Sequence, residues 1–504
     1  MLAILFGFAI VNSSGKSIFL SSRHRILAVV GERGIFVKNT ILAFALVLFC
    51  IGTSSYAFAQ WSSDPKVNLG IAVKPYDQVQ PKIRPTPDGG CYISWFDNDP
   101  NGQPPYGYDV FIQRLNARGV PKWADGGIRI ADLGMSSTQD YGLDVDADGN
   151  ALLAFLDDRN TDGIAVTATK VNPAGVQTWG KRGKQVGKGP ESLGNPKVTA
   201  TSDGFVVAGW SNGSNLTFQK INADGRRLWG TDGITITAPA GFAYYMADLH
   251  AGSGGSVIVS FVSSAGFFGP NHLLVNKLSA TGTLLWGANH VAVFDGGSLG
   301  FARFPRFITD GAGGAVFCWS ATEGARVQHV RANGSEVFPH NGVSGSTNIA
   351  YIPIEPCVSY DKAKDATYLF WSEQNQGQAT EGILAQKFNH AGVAELGETG
   401  AIVQPFTTSP VVNVASVFTT TGPLVVWSSE TATAQDTIMG AKLNRKGALS
   451  FQPFAVSSAL SSKSRLDLTL SSTGVAFVVW SDGRADDGGD IYAQNIKANC
   501  TLGK

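Results

Sequence analysis

Acidic residues crowd three stretches of this chain of 504 residues. The first holds Asp97, Asp99, Tyr106, Tyr108 and Asp109, the second Asp157, Asp158, Arg159 and Asp162, and the third Asp482, Arg484, Asp486, Asp487 and Asp490. Each stretch follows a strongly apolar run (CYISW, ALLAF, AFVVW) and precedes an alternating one (VFIQRL, AVTATKV, IYAQNI). Each therefore reads as a polar loop joining two strands. Carboxylates with Tyr and Arg on the loops of a rigid scaffold suit a polar ligand or a cation. Solvated turns laced by Asp–Arg bridges suit the same residues, and both readings stand.

Other motifs carry less chemistry. Asp144-Val-Asp146-Ala-Asp148-Gly149 matches the first half of a calcium loop, in which alternate Asp oxygens and a Gly bend hold a hard cation. The ninth and twelfth positions are Leu152 and Phe155, so calcium, the one cofactor suggested, competes with an ordinary turn at Asp148-Gly149. Gly296-Gly-Ser298-Leu-Gly300 has the nucleophile-elbow spacing but lies in a Gly-rich loop without the strand–turn–helix setting that exposes the serine. The seven His show no metal-binding spacing. No Cys pair has zinc-site spacing either.

The elements that position the loops repeat. Trp95, Phe155, Trp210, Phe261, Trp319, Trp371, Trp427 and Trp480 close equivalent apolar strands at intervals of 51 to 60 residues. Each copy has a first strand, a Gly-rich turn, the apolar strand, a variable polar loop, an alternating third strand, an Asn-Ala-x-Gly-like turn and a fourth strand that often opens with Trp. All 11 Trp fall at two repeat positions, which suits packing between units. Four short antiparallel strands repeated eight times predict an all-β, eight-bladed β-propeller. The eighth copy lacks a fourth strand, and Trp61 with Val67–Val73 supplies a spare one. The N-terminal strand should therefore complete the last blade. Units 8, 1 and 2 then become neighbours, and their loops form one acidic sector. Cys91 and Cys500 lie at the same seam, which predicts a disulfide clasping the first blade to the last; separate buried thiols are the alternative.

Trp480-Ser-Asp-Gly-Arg484 with Asp490-Ile-Tyr-Ala-Gln494 resembles the repeat of secreted bacterial β-propeller proteins. The Gly-to-Trp spacing of four at Gly119/Trp123, Gly175/Trp179, Gly225/Trp229 and Gly282/Trp286 is distantly similar to that of eight-bladed quinoprotein propellers. That resemblance implies fold alone, because no vicinal Cys pair or other quinone-binding set is present. Asn222-Ala-Asp-Gly-Arg-Arg-Leu-Trp229 loosely resembles a sialidase Asp-box turn, with its Gly one place early. Arg303-Phe-Pro-Arg306 reads as the repeat's own Pro near the start of a strand, as at Pro196 and Pro356.

Residues 39–60 have the form of a secretory signal: Lys38, an apolar stretch from Ile41 to Ile51, and Ala57-Phe-Ala59 before Gln60. Residues 1–36 sit awkwardly before it, as a misassigned start upstream of Val37 would leave them. The expected division is 1–59 as extension and signal peptide and 60–504 as one propeller, a monomer secreted or periplasmic after cleavage near Ala59, with no membrane span in the mature chain. Lys+Arg and Asp+Glu both number 39, which argues against a nucleic-acid partner. With 43% hydrophobic residues and only 15% charged, the chain is not a disordered one. Without a catalytic constellation in the sequence, the first reading of function is a non-catalytic exported module. It would bind or scaffold a protein, glycan or cell-surface partner. The alternative is a glycan-active hydrolase with a carboxylate pair across the central funnel.

Overall fold

The computed structural model describes residues 10–11, 17–18, 60–98, 107–135, 140–158, 163–188, 192–266, 269–300, 302–321, 324–486 and 488–503. The chain divides into two compact units, Met1–Ala57 and Phe58–Lys504. In the first, Ile10–Val11 pairs antiparallel with Ser17–Ile18. The expected signal peptide and its expected cleavage point near Ala59 lie outside the described residues.

The second unit is an all-β, eight-bladed propeller of four-stranded antiparallel sheets. Its innermost strands are, in order, Gln78–Pro85, Gly142–Val145, Leu193–Ala200, Ala243–Ala251, Phe307–Thr309, Tyr351–Asp361, Val411–Thr419 and Lys463–Leu470. Each packs against the next around the axis, and the eighth packs against the first. The second strands carry the apolar runs because neighbouring blades cover both their faces. The six Trp that end them are all essentially buried.

The ring closes as its repeat pattern demands. Leu69–Ala72 pairs with the third strand of blade 8, Asp490–Ile496, in the register Leu69↔Ala493, Gly70↔Tyr492 and Ala72↔Ile491. Upstream of this strand, Trp61 stacks on Phe477 of blade 8 with centroids 5.5 Å apart. Its indole N–H reaches the Ala117 carbonyl of blade 1 at 3.1 Å.

That last contact is one link of a chain. Gly119 stands so close under the Trp61 ring that a Cβ there would come within 2.8 Å of it. Gly175 meets Trp123 and Gly334 meets Trp286 in the same way, while Gly225 meets Trp179 with Lys184 and Gly282 meets Trp229 behind Ile234. Phe338 on Gly392 and Leu396 on Gly447 continue the series. Each aromatic thus docks on the turn of the following blade, not on the Gly four residues before it. These Gly also need a left-handed backbone, with φ from 77° to 87°.

Blade 8 departs from the series, and this overturns the expected Cys91–Cys500 disulfide: both are free thiols, as are Cys318 and Cys357. Cys500 occupies the turn position that Gly holds elsewhere (φ 63°). Its side chain lies toward Lys442 of blade 7, whose amine bonds the neighbouring Ala498 carbonyl. Cys91 is instead sealed in the core on the other side of blade 8, among Trp61, Trp95 and Phe477. Blade 8 separates the two sulfurs.

The docking contact can be isolated by comparing two glycines. Gly119 and Gly204 share nearly the same φ, 80° and 82°. Nothing lies within 4 Å of a Cβ built on Gly204. Gly204→Ala should cost about 1 kcal/mol for backbone strain, and Gly119→Ala roughly 1–3 kcal/mol more for displacing Trp61. Urea unfolding of the two variants checks this, and equal losses would show that the indole contributes no steric constraint.

Candidate functional site

The axis of the ring collects groups that no short sequence motif joins. Lys82 and Arg84 come from blade 1, Asp140 and Tyr141 from the approach to blade 2, and Lys197 from blade 3. Asp248 and His250 come from blade 4, Arg306 from the approach to blade 5, and Asp467 from blade 8.

Local backbone geometry presents them. Six of the eight innermost strands break register with the second strand, between Val79 and Lys82, Gly194 and Lys197, Met246 and Asp248, Ile354 and Cys357, Val412 and Ala415, and Ser464 and Asp467. Five of these bulges hold a non-Gly residue in the left-handed region: Gln80, Asn195, Glu355, Asn413 and Arg465. A bulge leaves one residue unpaired and re-aims its neighbours, and strained backbone of this kind gathers at functional sites. In two of them a Pro, which needs no ladder partner for its nitrogen, precedes an axial lysine: Pro81-Lys82 and Pro196-Lys197. Pro305-Arg306 repeats the pattern in blade 5.

The innermost strands also have an unpaired edge toward the axis, and carboxylates cap it. Asp467 accepts the Ile83 N–H at 3.0 Å, Asp144 the Ala200 N–H at 2.9 Å, and Asp248 the Phe307 N–H at 3.3 Å. Glu355 accepts the N–H of Asn413. Each even-numbered blade thereby caps the odd-numbered blade that follows it.

Ion pairs knit these caps to the cations. Asp140 lies between two lysines, with Lys82 Nζ at 2.6 Å and Lys197 Nζ also in contact. Lys82 sits 4.9 Å from the Tyr141 ring centroid. Arg84 meets Asp467 at 3.2 Å, and Arg306 approaches the same carboxylate from blade 5 at 3.6 Å. His250 Nε2 lies 3.0 Å from Asp248, and its ring meets Phe307 edge-on at 4.7 Å.

Electrostatics follow from burial and pairing. Burial pushes Lys82 down to about 8 in spite of Asp140. Burial alone would raise Asp140, but Lys197, Lys82 and Arg306 outweigh it and hold the carboxyl well below its usual range. Asp248 and Asp467 are lowered in the same way against burial, by His250 and by Arg84 with Arg306. Burial disfavours the charged His250 ring, yet the Asp248 carboxylate prevails and raises it.

At the rim, the connection into blade 5 passes through Ala302 in a left-handed conformation (φ 54°) and presents Phe304 two residues before Arg306. Phe304 packs edge-on against Tyr245 at 6.4 Å, and both rings stay more than a third exposed.

The loop residues singled out in the sequence are bound up in local structure. Asp97 and Asp482 are buried and accept the indole N–H of Trp95 and Trp480, two residues earlier on the same strand face, at 3.2 and 2.7 Å. Asp97 also pairs with Lys74, and Asp482 with Arg484, whose guanidinium lies 4.1 Å from the Tyr492 centroid. Asp109 pairs with Arg129, Tyr108 donates to Asp77, and Asp486 caps Gly488 and Gly489. Asp490 accepts the Lys74 N–H at 3.1 Å, and burial with Asp486 pushes it up to about 6. Lys74 thereby ties the blade 8 residues to blade 1. Asp157 is buried and Asp158 half-buried. Asp99, Tyr106, Arg159, Asp162 and Asp487 lie outside the described residues.

At the calcium-like string, Asp146 caps its own turn and pairs with Lys170 at 2.8 Å, while Asp144 bonds Thr199 and Ala200. Among the described residues no group of three His, Cys, Asp or Glu is placed to hold a metal ion, and no helix is long and apolar enough to cross a membrane.

The fold and this axial site define a propeller whose polar groups converge at its axis. No family model and no curated protein matches the chain. Among solved structures it is similar to an α-L-arabinanase of Penicillium chrysogenum with arabinobiose, at 13% identity, covering 63% of this chain and 97% of that one, TM-score 0.36. It is similar to a family 25 polysaccharide lyase, an ulvan lyase, at 12% identity, covering 79% and 96%, TM-score 0.40. It is also similar to prolyl oligopeptidase B of Galerina marginata, at 10% identity, covering 81% of this chain and 56% of that one, TM-score 0.43. These are likenesses of fold.

The Asp248–His250 pair makes a pH prediction. A raised imidazole contributes stability that is complete below its ordinary value of 6.5 and is lost as pH rises through the folded value. The lowered Asp248 contributes stability that is complete above 3.8 and is lost as pH falls through its folded value. The pair is therefore at full strength between those two pH values. An NMR titration should place the His250 midpoint above 6.5, and Asp248→Asn should drop it below, since burial and Arg84 then outweigh Asp144. A midpoint that Asp248→Asn leaves unchanged would contradict the pairing.

Proposed function

We propose that this protein is a glycan-active propeller that works at its axial funnel, in an exported setting consistent with the secretory form of residues 39–60. The observation that carries the reading is the convergence of Lys82, Arg84, Asp140, Lys197, Asp248, His250, Arg306 and Asp467 on one axis beneath the exposed Tyr245–Phe304 rim. A sugar ring presents an apolar face to an aromatic and hydroxyls to polar groups, and the funnel offers both within a few residues of chain.

The chemistry available differs from that of a carboxylate pair. A general acid must keep its proton near the working pH, whereas Asp140, Asp248 and Asp467 are all held ionised. Burial lowers Lys82 to about 8, Asp248 raises the His250 ring, and burial raises the Glu355 carboxyl on the inner edge of blade 6. Bond cleavage at this site would therefore route its proton through an amine, an imidazole or the Glu355 carboxyl. The pairing of Asp140, Asp248 and Asp467 with cations also favours a second reading, in which the funnel binds a glycan without cleaving it.

A polysaccharide panel on protein beginning at Gln60 separates these readings. Product ends are followed by reducing-sugar assay and by ultraviolet absorbance of unsaturated sugars, and binding by calorimetry. Cleavage that falls at least about a hundredfold in Lys82→Met, the scale of a lost general acid or base, supports the enzyme. Binding without cleavage supports the binding module, and neither one on any glycan would overturn the proposal.

A further inference from the structure

The funnel's hydrogen-bonding capacity is lopsided. Around Lys82, Lys197 and Arg306 its carboxylates are engaged. Asp467 takes the Ile83 N–H and Arg84, and Asp248 takes the Phe307 N–H and His250. Asp144 takes Thr199 and Ala200, and Asp140 takes both lysines and the Tyr141 N–H. Its donors have capacity left. An ammonium has three N–H groups, and Lys82 and Lys197 each direct one to Asp140. Their side chains are only 11% and 12% exposed, so bulk water has little access to the rest. The Arg306 guanidinium has five N–H groups, is 63% exposed, and stands 3.6 Å from Asp467, beyond hydrogen-bond range.

A site with spare donors and occupied acceptors favours a ligand group that only accepts. Sugar hydroxyls both donate and accept, so a neutral glycan would leave its own donors without partners here. An oxyanion has no donors to place, forms the shorter and stronger charge-assisted bonds, and is drawn in by cations between low-dielectric walls. We infer that the glycan is an anionic one, carrying carboxylate or sulfate groups that Lys82, Lys197 and Arg306 meet in the funnel. This rests on the funnel's being the glycan site proposed above. Arg306 is the outermost of the three and shares its connection with Phe304, so a charged unit and its stacked neighbour would be held by one short segment.

The test compares oligogalacturonides, their fully methyl-esterified forms and sulfated galactan oligomers of matched length, by calorimetry at two salt concentrations. The acid form should bind more tightly than the ester, and added salt should narrow the difference. Arg306→Gln, at an exposed position, should weaken the acid form roughly tenfold, the worth of one charge-assisted hydrogen bond, and weaken the ester less. Lys197→Gln, which leaves Asp140 one amine, should do likewise. Preference for the sulfated over the carboxylated oligomer identifies sulfate as the oxyanion. Ester and acid binding equally, or both variants binding the acid as wild type does, would overturn the inference and leave the glycan site standing. If no oligomer binds, the glycan reading fails. Free galacturonate and sulfate then decide the charge: shifts at the Lys82, Lys197 and Arg306 NMR signals retain an anion site, and their absence removes it.

Discussion

Everything at the axis depends on one strand pairing made by the two ends of the propeller chain. A blade covered on both faces cannot stand at the end of a row, because its apolar second strand would face water. Seven blades find their fourth strand locally, and the eighth receives Leu69–Ala72 from the other end of the chain. Trp61 carries the seam onward to Phe477 and Ala117. The funnel inherits this closure directly. Arg84 reaches Asp467 only because blade 1 lies beside blade 8, and Arg306 approaches that carboxylate from blade 5. An open arc of the same blades would scatter these charges.

The same carboxylates hold the ring and furnish the site. The inner edge of each blade exposes N–H groups that no strand can pair, and an unsatisfied buried donor costs about 1–3 kcal/mol. Asp467 and Asp248 relieve that cost for the next blade and also pair with Arg84 and His250. Stability and electrostatics are thus coupled at single atoms. The bulges add a second coupling, since the register breaks that weaken the innermost ladders present Lys82 and Lys197 at the axis.

Repeat structure was legible in the sequence to a fine degree. The spacing of Trp or Phe at the strand end marks every blade, and the missing fourth strand of the last copy points to residues near 67–73 as its replacement. The carboxylates near strand ends were visible too. Their role was not, because Asp97 and Asp482 read as loop ligands until the indoles two residues earlier are seen to donate to them. The axial cluster stayed hidden for a different reason. Its members stand about 50 residues apart on strands that meet only in the ring, so no local spacing records their proximity. One trace existed: the Pro near the start of the first strand is followed by Lys82, Lys197 and Arg306 in three copies. The seam cysteines misled because the repeat places a turn without saying which neighbour it faces. Cys500 replaces the usual Gly on the blade that follows Phe451, which holds the docking position of blade 7 and is left exposed.

The docking of each aromatic on the next blade's turn gives the ring a direction. Seven of the eight joints have a projecting part and a receiving part, set on opposite flanks of the blades they join. Such a contact is head-to-tail, so its own geometry does not limit how many units join; the angle per step and the closing strand do that. A tandem copy of one blade would arrive with both halves of the joint already formed. Gene duplication could therefore lengthen an ancestral array without inventing a new interface. The unmatched joint between blades 7 and 8, with Cys500 in the receiving position, is where such an array departs from its own rule.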